Sequence, residues 1–115
     1  MADCLFCKIV AGEIPAKIVK RSADAVAFRD IDAKAPVHVL VIPTRHIAAV
    51  RDAKGDDGER LLGSLLAFAA SVASEQGLDG EGYRIVTNTG RNAGQSVDHL
   101  HLHVLGGRKM TWPPG

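Results

Sequence analysis

At 115 residues the chain has room for one domain, and 46% apolar residues with only 4% aromatic predict a core of Leu, Ile, Val and Ala. Fourteen basic residues against thirteen acidic give +1, with no basic run longer than Lys20-Arg21, which excludes an affinity built on many phosphate-neutralising cations. No apolar stretch approaches membrane-spanning length and no charged head leads into a long apolar run, so the expectation is a soluble, cytoplasmic protein with neither nucleic acid nor membrane as partner.

Cys4-Leu5-Phe6-Cys7 holds both cysteines. A C-x-x-C spacing serves a disulfide, a redox site or half of a zinc site, and does not choose among them alone. His46 and His99 are the candidates to complete a metal set. Lys8 to Ala11 continues a short helix that Gly12 ends. From Ile14 the chain reads as strands: Ala16 to Lys20, a turn at Ser22-Ala23-Asp24, and the returning Ala25-Val26-Ala27-Phe28. Arg29-Asp30-Ile31-Asp32 leaves that strand, and Ala33-Lys34-Ala35-Pro36 is the connecting loop. His38-Val39-Leu40-Val41-Ile42 is the most strongly β run, ended by Pro43, whose ring cannot donate to a ladder. Thr44-Arg45-His46 follows as a loop.

Asp52 to Gly58 is acidic and glycine-bearing, hence exposed. Asp56-x-x-Glu59 resembles a capping box, which places a helix start there. Leu61, Leu62, Leu65, Leu66, Phe68, Ala69, Val72 and Ala73 follow the 3.6-residue period to a stop at Gly77. The opposite face carries Gly63, Ser64, Ala67, Ala70, Ser71 and Ser74, and both a dimer contact and plain solvent exposure suit such small residues. Asp79-Gly80-Glu81-Gly82 turns into the strand Tyr83 to Thr87, after which polar, glycine-bearing Asn88 to Ser96 forms a loop. The tail through Met110, Trp112, Pro113 and Pro114 is too proline-rich for regular structure. Its single Trp needs something to pack on, in its own subunit or at a site.

The stretch Ser96-Val97-Asp98-His99-Leu100-His101-Leu102-His103-Val104-Leu105-Gly106-Gly107 organises the rest. Three of the five histidines alternate there with Leu100, Leu102 and Val104, which is a strand signal. The imidazoles form a row about 13 Å long at about 3.3 Å per residue, opposite an apolar face. The pattern predicts a strand wet on one side and covered by a helix on the other. The resulting class is α+β, about five antiparallel strands with one long and one short helix.

Three chemistries suit such a row. His-x-His can offer nitrogens to a metal, imidazole suits general acid–base work, and a ring nitrogen can form a covalent intermediate with phosphorus. The last needs anion-binding groups beside the nucleophile. Gly94-Gln95-Ser96 offers backbone N–H donors, a glycine free to take unusual φ/ψ, and a hydroxyl, which makes Gly94 a nucleotide-binding candidate. No G-x-x-x-x-G-K phosphate loop is present.

The row resembles the signature of the histidine-triad (HIT) nucleotide-binding family, His-apolar-His-apolar-His followed by two apolar residues. Gly94-Gln95-Ser96-Val97 before it, and Gly106-Gly107 with Trp112-Pro113-Pro114-Gly115 after it, are similar to the Hint branch of nucleoside phosphoramidases. The likeness also covers Cys4 to Ile9, Gly12 to Lys17, Phe28 to Ile31, Ala35 to Pro43 and everything from Asn88 onward. It implies the HIT fold, with two subunits pairing into a continuous sheet as a homodimer. It implies His101 as the nucleophile attacking the α-phosphorus, His103 on the phosphate or the departing group, and His38 completing the network from the neighbouring strand. Asn88, Gln95 and Ser96 would hold phosphate oxygens and the leaving amine. Asp30 would accept from ribose hydroxyls, while Phe6, Ile9 and Ile31 line a purine pocket.

The implied reaction is hydrolysis of purine nucleoside 5′-phosphoramidates, including aminoacyl adenylates, through a nucleotidyl-histidine and without a catalytic cofactor. Other HIT branches hydrolyse dinucleoside polyphosphates or transfer nucleotidyl groups, and a non-catalytic nucleotide-binding scaffold is the reading from another class. In some members two Cys join a His after the Pro-x-x-His stretch and the first triad His around a structural zinc. Here those are Cys4, Cys7, His46 and His99, an N₂S₂ set suited to tetrahedral Zn²⁺. Asp98 departs from the aromatic residue of the eukaryotic Hint branch. A carboxylate there could orient a ring or raise its pKa, although alternation points it to the opposite face.

Overall fold

The computed structural model describes residues 3–115. Five antiparallel strands form one sheet in the order β1-β2-β3-β5-β4: β1 (Ile18–Arg21), β2 (Ala25–Arg29), β3 (Val37–Pro43), β4 (Tyr83–Val86) and β5 (Leu102–Gly106). A short helix, α1 (Leu5–Val10), and a long one, α2 (Gly55–Glu75), complete the α+β architecture.

Strand alternation assigns each side chain to a helix. Ala25, Ala27, Val39, Val41, Leu102 and Val104 face α2 and bury its Leu65, Ala69, Val72 and Ala73. Val26, Phe28, Leu40 and Ile42 face the other way, onto Phe6 and Ile9 of α1. His38 and His103 are on this second side, because His38 is one residue from Val39 and His103 one from Leu102 and Val104.

The structure revises three expectations. The strand begins at Leu102 rather than at His99, because Leu102 pairs with Val41 and two residues further the register would need an N–H from Pro43, which has none. Backbone groups of that stretch bond elsewhere: the Leu100 N–H reaches the Ile47 carbonyl at 2.7 Å. The row is also not wet, since His99 is 0% and His101 3% exposed beneath α1. Finally, α2 has no side-chain cap. Its N-cap is Lys54 and it opens at Gly55, with Asp56 and Asp57 in the first turn, favourable to the helix dipole. The helix entry is set by close backbone approach, for a Cβ on Gly58 would sit 2.3 Å from the Ala53 carbonyl carbon. The buried stripe of α2 is narrower than the periodicity predicts, because Leu66 is 52% exposed beside exposed Gly63 and Ala67.

Candidate active site and thiol–imidazole cluster

The hydrogen bonds fix which ring nitrogens carry protons. His101 Nδ1 lies 2.7 Å from the His99 carbonyl, and a carbonyl only accepts, so Nδ1 is the donor and Nε2 keeps the lone pair. Phe6 meets the His101 ring edge-on, with centroids 5.2 Å apart. His38 Nδ1 accepts the Lys34 N–H at 3.0 Å, which puts the His38 proton on Nε2. That nitrogen is 2.9 Å from His103 Nδ1 and 3.3 Å from the Asp30 carboxylate. His103 Nδ1 therefore accepts, and in its neutral form His103 carries its proton on Nε2.

Burial pushes His103 down to about 4, helped by its imidazole neighbours His101 and His38. His38 is lowered for the same first reason, against the opposing pull of Asp30. Both are neutral at neutral pH. Asp30, His38 and His103 also converge closely enough to suggest a metal set. The Lys34 N–H on Nδ1 argues against one, since ligation through Nε2 would leave two donors face to face.

A cleft of about 780 Å³ shares Phe6 and Asp30 with this histidine group, and its lining includes Phe6, Ile9, Phe28, Asp30, Ile31, Leu40 and Ser96 but neither His101 nor His103. It is apolar at its base and acidic at Asp30, while Ile31 stands fully exposed on its rim. Phe28 and Leu40 are additions to the expected lining. Alternation from Val26 and from His38 places them on this face, once the face is known to hold a pocket.

At the other side of α1, Cys4 Sγ lies 3.3 Å from His99 Nδ1, Cys7 Sγ 3.3 Å from His46 Nδ1 and Cys7 Sγ 3.6 Å from His99 Nδ1. All four ligand atoms fall within 4.8 Å of one another. A tetrahedral ion with bonds of about 2.3 Å to sulfur and 2.0–2.1 Å to nitrogen has S···N edges of about 3.6 Å. The cage is the right size for zinc. His99 Nε2 donates to the Pro43 carbonyl at 2.9 Å, leaving Nδ1 as the free lone pair and supplying an outer partner that holds the ring. Both thiols are free. Burial and the adjoining Cys4 thiol push Cys7 up, so a bound cation would be needed to turn it into a thiolate.

The family model of the HIT domain matches residues 11–110. The chain belongs to the HIT family. An uncharacterized HIT-like protein of Synechococcus elongatus is 50% identical over 113 residues, covering 98% of this chain and 97% of its own. Among solved HIT structures, a protein of Legionella pneumophila described as a HIT family hydrolase is 51% identical with TM-score 0.94, and the match covers 98% of this chain and 100% of that one. The histidine triad nucleotide-binding protein of Candida albicans is 32% identical with TM-score 0.82, over 96% of this chain and 83% of that one. Cys4, Phe6, Cys7 and Ile9 lie ahead of the matched span.

Phe6 and Ile9, ahead of that span, and Asp30, Ile31 and Ser96, within it, reach the cleft together. Three loop residues behave differently. Gln95 does not turn its amide to the cleft: Nε2 donates to the Ala48 carbonyl at 2.7 Å and to the Val97 carbonyl at 3.1 Å, while Oε1 accepts the Gly90 N–H. Its own N–H and that of Gly94 bond to Gly90 and Arg91. Gln95 thus staples the loop, which leaves Ser96 as the donor that borders the cleft. Gly94 takes the left-handed conformation, φ 80°, that closes this turn, and Asn88 is half-buried without lining the cleft. Asp98 is exposed in a shallow recess beside Cys4 and His46. Trp112 is 82% exposed, resting on its own chain under the Arg84 guanidinium.

Proposed function

We propose that the protein hydrolyses purine nucleoside 5′-phosphoramidates to the nucleoside monophosphate and an amine. One observation carries the reading. The His101 ring is anchored through Nδ1, which makes Nε2 the lone-pair nitrogen of the neutral ring, and it packs edge-on against Phe6, a wall of the cleft that also holds the Asp30 carboxylate. Such a nitrogen can attack phosphorus in line. The P–Nε2 bond forms, the P–N bond to the amine breaks, and the departing amine collects a proton. Water then attacks the same phosphorus, the P–Nε2 bond breaks, and His101 is restored. His103 and the Ser96 hydroxyl stabilise the negative oxygens or the departing group. Apolar walls hold the purine, and Asp30 accepts from the ribose hydroxyls.

The N₂S₂ cluster fits a structural zinc, which would tie α1 to the stretch carrying His99 and supply no step of the reaction. Free thiols suit a reducing, cytoplasmic setting. Among the described residues no helix is long and apolar enough to cross a membrane. β4 has one neighbour in the sheet, so its free edge is where a second copy would continue it.

The test is mass spectrometry of protein quenched during turnover of adenosine 5′-phosphoramidate. A nucleotidyl adduct on His101 is expected. Turnover that survives His101→Ala would sink the covalent route, and nucleotide binding without turnover in the parent protein would leave a scaffold. Turnover of dinucleoside polyphosphates in preference to the phosphoramidate would keep the nucleophile and change the substrate.

A further inference from the structure

We infer that Thr87 is a positioning residue for His101, holding the nucleophile's own peptide in place. The inference rests on the function proposed above and concerns how the attacking ring is aimed. His101 lies just outside the sheet: β4 and β5 pair as far as Val86 and His103, and β3 ends at Pro43. A nucleophile on an unpaired segment needs anchors of another kind. Apart from the thiols at His99 Nδ1, the described residues give it three. The His99 ring donates to the Pro43 carbonyl at 2.9 Å, and the Leu100 N–H donates to the Ile47 carbonyl at 2.7 Å. The Thr87 hydroxyl donates to the His101 carbonyl at 2.9 Å. The first two fasten residues ahead of His101 to the end of β3 and to the chain that follows it. Only the third grips the peptide of His101 itself, and it comes from the opposite neighbour, the end of β4.

The aim of the ring depends on that grip. His101 Nδ1 is bound to the carbonyl two residues back, so the direction of Nε2 follows from the backbone between His99 and His101. Pinning the His101 carbonyl fixes the far end of that short span. Thr87 is exposed whereas His101 is buried, so the hydroxyl satisfies a buried carbonyl in the act of holding it in place. A valine of the same shape keeps the β-branched fit to an extended chain and removes only the donor. Small losses of aim are costly in a displacement at phosphorus, where in-line approach is required.

The experiment compares Thr87→Val and Thr87→Ser with the parent protein on adenosine 5′-phosphoramidate, measuring kcat, KM, the rate of adduct formation in a single turnover, and the melting temperature. Thr87→Val is expected to lower kcat and the adduct rate about three- to tenfold with KM within about twofold and the melting temperature lowered only by the loss of one hydrogen bond to a buried carbonyl. Thr87→Ser should restore the rate. Parental kcat in Thr87→Val, or equal loss in both variants, overturns the inference. His101→Ala run in parallel separates the two claims: if it keeps turnover, the covalent reading has failed, and if it loses turnover while Thr87→Val does not, only the role of Thr87 has. Should Thr87→Val fold poorly, Thr87→Ala against Thr87→Ser makes the same comparison.

Discussion

The two faces of the sheet are built by different rules. On the α2 face the buried contacts are between apolar side chains, Ala27, Val39, Val41, Leu102 and Val104 against Leu65, Ala69 and Val72, with Lys20 bonded to Ser71 and Glu75 at the margin. Attraction there is non-directional and grows with area. On the α1 face a helix of only six residues contributes Phe6 and Ile9 as its buried side chains, while His38, His99 and His101 are buried among them. Imidazoles in an interior demand partners for their nitrogens, and each has found them: Lys34 and His103 for His38, Pro43 and Cys4 for His99, the His99 carbonyl for His101. One face supplies stability that tolerates imprecision; the other holds a fixed order of protons.

If the faces are separable in this way, substitutions should divide cleanly between them. The largest effect is expected from His101→Ala, which should cut phosphoramidate turnover by about a thousandfold or more with the denaturant midpoint near that of the parent. Its counterpart is Leu65→Ala on α2, expected to cost about 2–5 kcal/mol in urea unfolding and to leave turnover per folded molecule unchanged. Loss of catalysis in folded Leu65→Ala would show that the faces are coupled.

Zinc should act on the α1 face alone. Added at about a hundred times its dissociation constant, it is expected to stabilise the parent by about 2.7 kcal/mol, read as a rise in melting temperature that Cys7→Ser lacks. An equal rise in Cys7→Ser would place the ion elsewhere.

Acid should also select that face. His103 is held at about 4 in the fold against an ordinary value of about 6.5 in the unfolded chain. Between these values the unfolded state binds more protons, so stability rises with pH. The contribution is whole above about pH 6.5, declines as the pH falls through that window, and is gone once both states are protonated below about 4. Urea midpoints at intervals across the window should fall faster for the parent than for His103→Gln. Parallel curves would show that His103 does not report this burial. The smallest effect is expected at Leu66, where Leu66→Glu should change monomer stability by less than about 0.5 kcal/mol. Any shift it causes in sedimentation would mark the outer face of α2 as a contact between copies.

The sequence read the α2 face more fully than the α1 face, for the same physical reason. Non-directional packing leaves a periodic trace: the spacing of Leu65, Ala69, Val72 and Ala73, the run from Val39 to Ile42, and the alternation through Leu102 and Val104 all show it. Directional contacts leave none. That the row is roofed by α1 follows from Phe6 meeting His101 across most of the chain, and no local pattern announces such a meeting. The family resemblance implies Gln95 as a phosphate-holding residue, whereas its amide donates to the carbonyls of Ala48 and Val97. The start of β5 depended on the register with β3, which assigns Leu100 the place opposite Pro43. Thr87 carried no signal beyond its place at the end of a strand. The cysteine and histidine set was legible as a combination because the chain offers few residues of these two metal-ligating types, and the structure brings four of them within reach of one another.

Pro43 has one more implication. Its missing N–H stops the sheet, and its carbonyl seats the ring of His99, so the rim of the sheet and the mount of the thiol cluster are a single point. Insertions in the connection between β3 and α2 can be absorbed by chain that carries no ladder, provided they fall beyond Ile47 and Ala48, whose carbonyls hold Leu100 and Gln95. A residue added within β3 cannot, because it would slide an N–H into Pro43's place and zip His101 into the weave of the sheet. The length of this strand is in that sense a component of the reaction, and drift in it should be far less tolerated than drift in the loop that follows.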